Sequence, residues 1–93
     1  MGTRVRIIWT EYMHHRATVR GFDLARIEHL VRFAAERYFD MATGRSVVVG
    51  KHDNMLVVIP YDADEDTITP VTIHVTTRQQ VAMRLKAGRF VNE

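Results

Sequence analysis

Ser46-Val47-Val48-Val49-Gly50 and Met55-Leu56-Val57-Val58-Ile59, joined by Lys51-His52-Asp53-Asn54, decide the fold of this chain. Both runs are short and rich in β-branched residues, and the polar segment between them suits a hairpin connection. Neither run alternates. A strand that is apolar at successive positions has to be covered on one face and partly on the other.

Working outward from the hairpin, residues 62–66 form an acidic connection, and Thr67-Ile68-Thr69-Pro70-Val71-Thr72-Ile73-His74-Val75 then alternates polar and apolar. That pattern suits an antiparallel strand with one wet face, and Pro70, which cannot donate to a ladder, marks an edge or a bulge. Thr77-Arg78-Gln79-Gln80 is a capping box that opens a last helix ending at Gly88. Upstream, Val5-Arg6-Ile7-Ile8-Trp9 reads as a first strand. Thr10 caps a helix from Glu11 to about Arg20, stopped by Gly21. Asp23 caps a second helix, with Leu24, Ile27, Leu30, Val31 and Ala34 on one stripe, which is expected to end near Tyr38. The predicted order is β-α-α-β-β-β-α: a single α+β domain over residues 1–93, with an antiparallel sheet and helices packed on it.

Composition narrows the function classes. A chain of 93 residues has room for one core and gains from a partner or from self-association. Without cysteine it has neither disulfides nor thiolate metal sites. No apolar run reaches the roughly 20 residues of a membrane span, and the start lacks the apolar stretch of a signal peptide, so a cytoplasmic protein is expected. The net charge of +2 conceals an uneven distribution. Residues 1–37 carry seven arginines against four carboxylates, residues 38–66 two cations against six carboxylates, and residues 67–93 four cations against Glu93 alone. Should the two basic ends meet, they would form an anion-binding face. Eleven of the 13 cations are arginine, whose planar fork suits phosphate.

The C-terminal segment holds the chemistry-bearing candidates. By strand alternation His74 shares a face with Thr72 and Thr76, away from Ile73, and so faces solvent or a cleft. Arg78 stands in the first turn of the following helix, where unpaired amides and the helix dipole already favour an anion. A histidine able to move protons near neutral pH, beside an arginine able to hold charge on phosphorus, makes a plausible phosphodiester site. Arg16 and Arg20 lie four apart on one face of the first helix and either grip phosphate or are solvated. His14 and His15 point about 100° apart, and neither His29 nor His52 has a partner at metal-ligand spacing, so no metal and no cofactor are expected. The acidic run 62–66 fails as a calcium loop, because Thr67 and Ile73 stand where Gly and Glu are required.

Arg16-x-x-x-Arg20-Gly21-Phe22-Asp23, then Tyr38-Phe39-Asp40, a Gly-Arg-led hairpin and the closing Val75-Thr76-Thr77-Arg78-Gln79-Gln80 resemble the small bacterial BrnT toxins and their relatives in the RelE/ParE group. The resemblance implies a bacterial toxin that cleaves RNA by metal-independent transesterification, on or off the ribosome, and is silenced by a cognate antitoxin, often of ribbon-helix-helix type. It also implies that Arg16, Arg20, His74 and Arg78 line the RNA cleft, with Arg84, Lys86 and Arg89 further along it as RNA-binding residues. Tyr12 departs from the pattern, since related chains often carry histidine there. Two other readings stay open: a non-catalytic homodimeric binding or regulatory module, suggested by the apolar strand 55–59 as a pairing edge, and a gyrase-type inhibitor on the same fold.

Overall fold

The computed structural model describes residues 5–93. The chain forms β1 (Arg6–Ile7), α1 (Glu11–Arg20), α2 (Leu24–Phe33), β2 (Arg37–Asp40), β3 (Arg45–His52), β4 (Met55–Ala63), β5 (Thr67–Pro70), β6 (His74–Val75), α3 (Arg78–Lys86) and β7 (Phe90–Asn92). It is an α+β fold whose sheet runs β1-β5-β4-β3-β2-β7, with β6 pairing β4 beyond the end of β5. No helix among the described residues is long and apolar enough to cross a membrane.

The helix starts follow from local chemistry. Thr10 Oγ1 accepts from the Met13 amide at 3.0 Å, Asp23 Oδ1 from the Ala25 amide at 3.0 Å, and Thr77 Oγ1 from the Gln80 amide at 3.1 Å. Each satisfies a donor that the first turn cannot pair internally. α1 stops at Gly21, whose φ of 75° is open to glycine at no steric cost.

β3 and β4 pair antiparallel through a two-residue connection, Asp53-Asn54, with Asp53 at φ 56°. Their side chains divide between two faces. Val48, Val57 and Ile59 join Met13, Ala17, Ile27 and Val31 beneath α1 and α2. Val47, Val49 and Val58 join Val81 and Phe90 beneath α3. Both faces of the central strands are thus covered, which is why the two runs are apolar throughout. α3 is short and covers only part of its face. Gly50 lets α2 sit close, since a Cβ there would fall 2.6 Å from Leu30 Cδ2.

Four expectations need correction. The sheet is mixed and not purely antiparallel, because β1 runs parallel to β5. The second helix ends at Phe33 instead of near Tyr38. Residues 37–40 form β2, and Arg37 folds back to donate to the Val31 and Ala34 carbonyls at the helix end, at 2.5 and 3.0 Å. Residues 90–92, assigned to no element, form an edge strand against β2. The run 55–59 is no edge, since β4 is flanked by β3 on one side and by β5 and β6 on the other.

The expected strand 67–75 is broken in the way Pro70 foreshadows, and the break matters for function. Tyr61 opposes Pro70 while Val58 opposes His74, so three steps along β4 are matched by four along its neighbour. One residue is therefore extra, and a one-residue slip moves every later side chain to the other face. Continued in register from buried Pro70, position 74 would point beneath α1 and α2 with Tyr61. The bulge at 71–73 instead turns His74 to the α3 face, beside Val58, and leaves Ile73 in the core.

Candidate functional site

Between α3, the β2–β3 turn and the bulged segment lies an open cleft of about 450 Å³. Val47, Val58, Pro60, Val71 and Phe90 supply its apolar surface; His74, Gln80, Arg84, Arg89, Arg45 and Asp40 supply its polar groups. Thr72 and Val75 also line it, although alternation places Val75 with the core. Arg84 lies over the Phe90 ring with its guanidinium carbon 5.6 Å from the centroid, and Arg89 over the same ring at 6.0 Å. A cation so placed is attracted to the ring face.

At the edge of this cleft two residues distant in sequence meet. Arg16 Nε donates to the Ile73 carbonyl at 2.9 Å, and an Arg16 terminal nitrogen donates to His74 Nδ1 at 2.9 Å. The first bond is possible because the bulge frees that carbonyl from the β4 ladder. The second sets the chemistry of the histidine. A guanidinium is only a donor, so Nδ1 must offer its lone pair and the neutral ring carries its proton on Nε2. Partial desolvation, followed by the charges of Arg16, Arg20 and Arg84, holds the His74 pKa below its usual 6.5. His74 is consequently a neutral imidazole near pH 7 that presents an N–H outward. It suits donation to an anion better than carrying a proton.

The basic ends of the chain do converge here: α1 contributes Arg16 and Arg20, and α3 contributes Arg84, all close enough for their charges to act on His74. Arg20 is exposed on the outer face of α1, where Tyr12, Arg16 and Val19 line a shallow groove with it. Arg84 has no carboxylate partner among the described residues. Arg89 lines the cleft but is clamped by Asp40, with two hydrogen bonds of 3.0 Å. Lys86 is exposed and outside the cleft lining.

Arg78 goes elsewhere. It opens α3 as expected, but donates to Glu36 Oε2 at 2.7 Å, and the Tyr38 hydroxyl donates to the same oxygen at 2.7 Å. That carboxylate draws it away from the cleft. Gln80 completes only half of the capping box, since its side-chain oxygen accepts from the Thr76 hydroxyl at 2.9 Å. His52 is buried and structural: its Nε2 accepts from the Asp23 amide at 2.9 Å and its ring meets Phe22 edge-on. Asp40, Thr43, Arg45 and Gln80 are polar cleft residues that sequence reading assigned to no site. Asp40 stood out only as part of Tyr38-Phe39-Asp40, and nothing local marks it as buried.

Asp40 is 3% exposed and also accepts from the Ala42 amide at 2.9 Å. The Arg89 hydrogen bonds, opposed by burial and helped by that amide, hold its carboxyl below the usual 3.8. A carboxyl whose pKa is depressed by folding stabilises the fold fully above 3.8, and the stabilisation is lost as pH falls through the folded value. Asp40→Asn should lower stability by about 1–2 kcal/mol at pH 7, a modest figure because Arg89 is half exposed. The gap from the unaltered protein should begin to narrow below about pH 4 in urea melts and close once pH falls below the folded value, where both proteins carry a neutral group at position 40. A gap that persists undiminished at pH 3 would contradict this account.

Comparison of the chain with protein-family models, with curated protein sequences and with solved structures gave no match.

Proposed function

We propose that this protein is an RNA-cleaving toxin of the RelE/BrnT sort, in which Arg16 and His74 hold the scissile phosphodiester. The observation that carries the reading is the Arg16–His74 contact at the cleft edge, with Arg20 and Arg84 acting on it from two further positions. In the reaction the ribose 2′-oxygen bonds to phosphorus as the bond from phosphorus to the 5′-oxygen breaks. This leaves a 2′,3′-cyclic phosphate and a 5′-hydroxyl. The 2′-hydroxyl proton goes to solvent, and the departing 5′-oxygen takes one from solvent. The protein's share is electrostatic: His74 Nε2–H and the Arg16 guanidinium donate to the phosphoryl oxygens as charge develops on them. Arg78, tied to Glu36, lies outside this group. A cognate antitoxin would silence the protein by covering the cleft.

The engagement of His74 Nδ1 favours one second reading, binding without cleavage, because no unengaged base stands beside the phosphate. Tightly induced expression in a bacterium, with growth followed and new RNA 5′ ends mapped, separates the two. Growth arrest with discrete new ends is expected. Both should vanish in the Arg16→Ala, His74→Ala double variant and persist in Arg78→Ala. Arrest without new ends would mean a different target, such as gyrase, and normal growth with folded protein would mean a binding module.

A further inference from the structure

Beyond the phosphate-binding edge, the cleft itself has room for one nucleoside, since its volume of about 450 Å³ falls within the range of small-molecule sites. Its polar inventory leans toward donors, with the hydroxyls of Thr43 and Thr72 able to act either way. Asp40 is its only carboxylate, and both oxygens are taken by Arg89. The acceptor of Gln80 is taken by Thr76, which leaves its amide N–H groups. His74 offers Nε2–H, and Arg84 offers a guanidinium laid over Phe90 with no carboxylate against it among the described residues. An occupant has to bring acceptors.

We infer that the cleft selects guanine, with the Arg84 fork reading O6 and N7; the inference rests on the RNA-binding part of the function proposed above. A flat guanidinium matches two adjacent coplanar acceptors. Guanine presents such a pair as a whole edge, its Hoogsteen side, whereas the O2 and N3 of cytosine share theirs with an amino donor. Adenine and cytosine place an amino donor toward the cleft donors, and uracil separates its two carbonyls by an N–H. With Arg16 and His74 engaged on the backbone phosphate, Arg84 is the fork left to meet a base, and Val47 and Val58 offer an apolar surface for the ring.

The test titrates the whole chain with 2′-O-methyl pentanucleotides of sequence UUXUU, where X is guanine, adenine, uracil, cytosine or 7-deazaguanine. The methyl group blocks 2′-oxygen attack, so binding is read separately from cleavage. The guanine oligonucleotide should bind at least about tenfold tighter than the other three natural ones, as one bidentate base contact allows. 7-Deazaguanine, which lacks the N7 acceptor, should lose most of that margin. Arg84→Met should equalise the four bases while leaving the fold intact by circular dichroism. Arg84→Lys, which keeps the charge without the fork, should equalise them too while binding more tightly than Arg84→Met. Equal affinities in the unaltered protein, no binding to any oligonucleotide, or a guanine preference that survives Arg84→Met would each overturn the inference. Guanine-selective binding without any RNA cleavage would uphold it and remove the nuclease.

Discussion

Arg37→Ala should destabilise the protein by about 2–4 kcal/mol, because one charged side chain serves three acceptors on two elements. Its guanidinium donates to the carbonyls of Val31 and Ala34 and to the Tyr61 hydroxyl at 3.2 Å, and it sits over the Tyr61 ring at 5.6 Å. Val31 and Ala34 lie in or just after the last turn of α2, where carbonyls have no intrahelical partner. A cation there also meets the negative end of the helix dipole. Alanine would leave both carbonyls short of a donor beside a core that admits little water. For a chain of this size the loss corresponds to a melting temperature lower by roughly 8–20 °C. Arg37→Lys should fall between, because one ammonium keeps the charge but cannot span all three acceptors. A melting temperature within about 2 °C of the unaltered protein in Arg37→Ala would show that water replaces the guanidinium and that the helix end is not held this way.

The same residue shows where the sequence stops being legible. The stripe Leu24, Ile27, Leu30, Val31 and Ala34 announces α2, and its last member marks the true end within a residue. Glu36-Arg37-Tyr38 gives no local stop signal, neither glycine nor proline, so the helix reads on. What ends it is β3: the Val49 amide donates to the Glu36 carbonyl at 2.9 Å, and residues 37–40 pair with 45–48. That is a tertiary override, invisible to periodicity. Caps were legible at Thr10, Asp23 and Thr77 because each is settled within three residues. β7 was not, since three residues hold a strand only through their partner. The parallel pairing of β1 with β5 is likewise a contact across some 60 positions in the chain.

Much the same division runs through the site. His74, Arg16 and Arg84 could be picked out by residue type and by the charge carried at the two ends. Their meeting depends on the bulge, and only Pro70 hinted at that. Alternation predicted the outward orientation of His74 for a regular strand. The actual cause is a register slip, without which the side chain would enter the core. Partner choice was beyond reach: Glu36 takes Arg78, and Asp40 takes Arg89, across 42 and 49 positions.

Arg16→Met should have the largest effect on activity. The thioether side chain keeps much of the length and the packing on α1 but has no donors. RNA cleavage is expected to fall by about 10²–10³-fold, the size of a lost charge-stabilising donor. A second consequence can be read without any RNA. Removing the Arg16 charge takes away one of the causes that depress the His74 pKa, so this pKa should rise toward 6.5, and Nδ1 loses the donor that fixes the tautomer. Nitrogen shifts of the ring, followed from pH 5 to 8 by NMR, would report both changes. In the unaltered protein the ring should remain neutral, with its proton on Nε2, down to a lower pH than in the variant. The sign carries through to kinetics. A His74 that protonates within the working range can itself supply the missing positive charge, so the deficit of Arg16→Met should narrow as pH falls. Arg16→Lys should lose less, since an ammonium restores charge but cannot hold the Ile73 carbonyl and His74 together. Full activity in Arg16→Met would remove the pair from the reaction. A large deficit with an unchanged His74 titration would mean that Arg16 acts on the phosphate alone, and not through the histidine it touches.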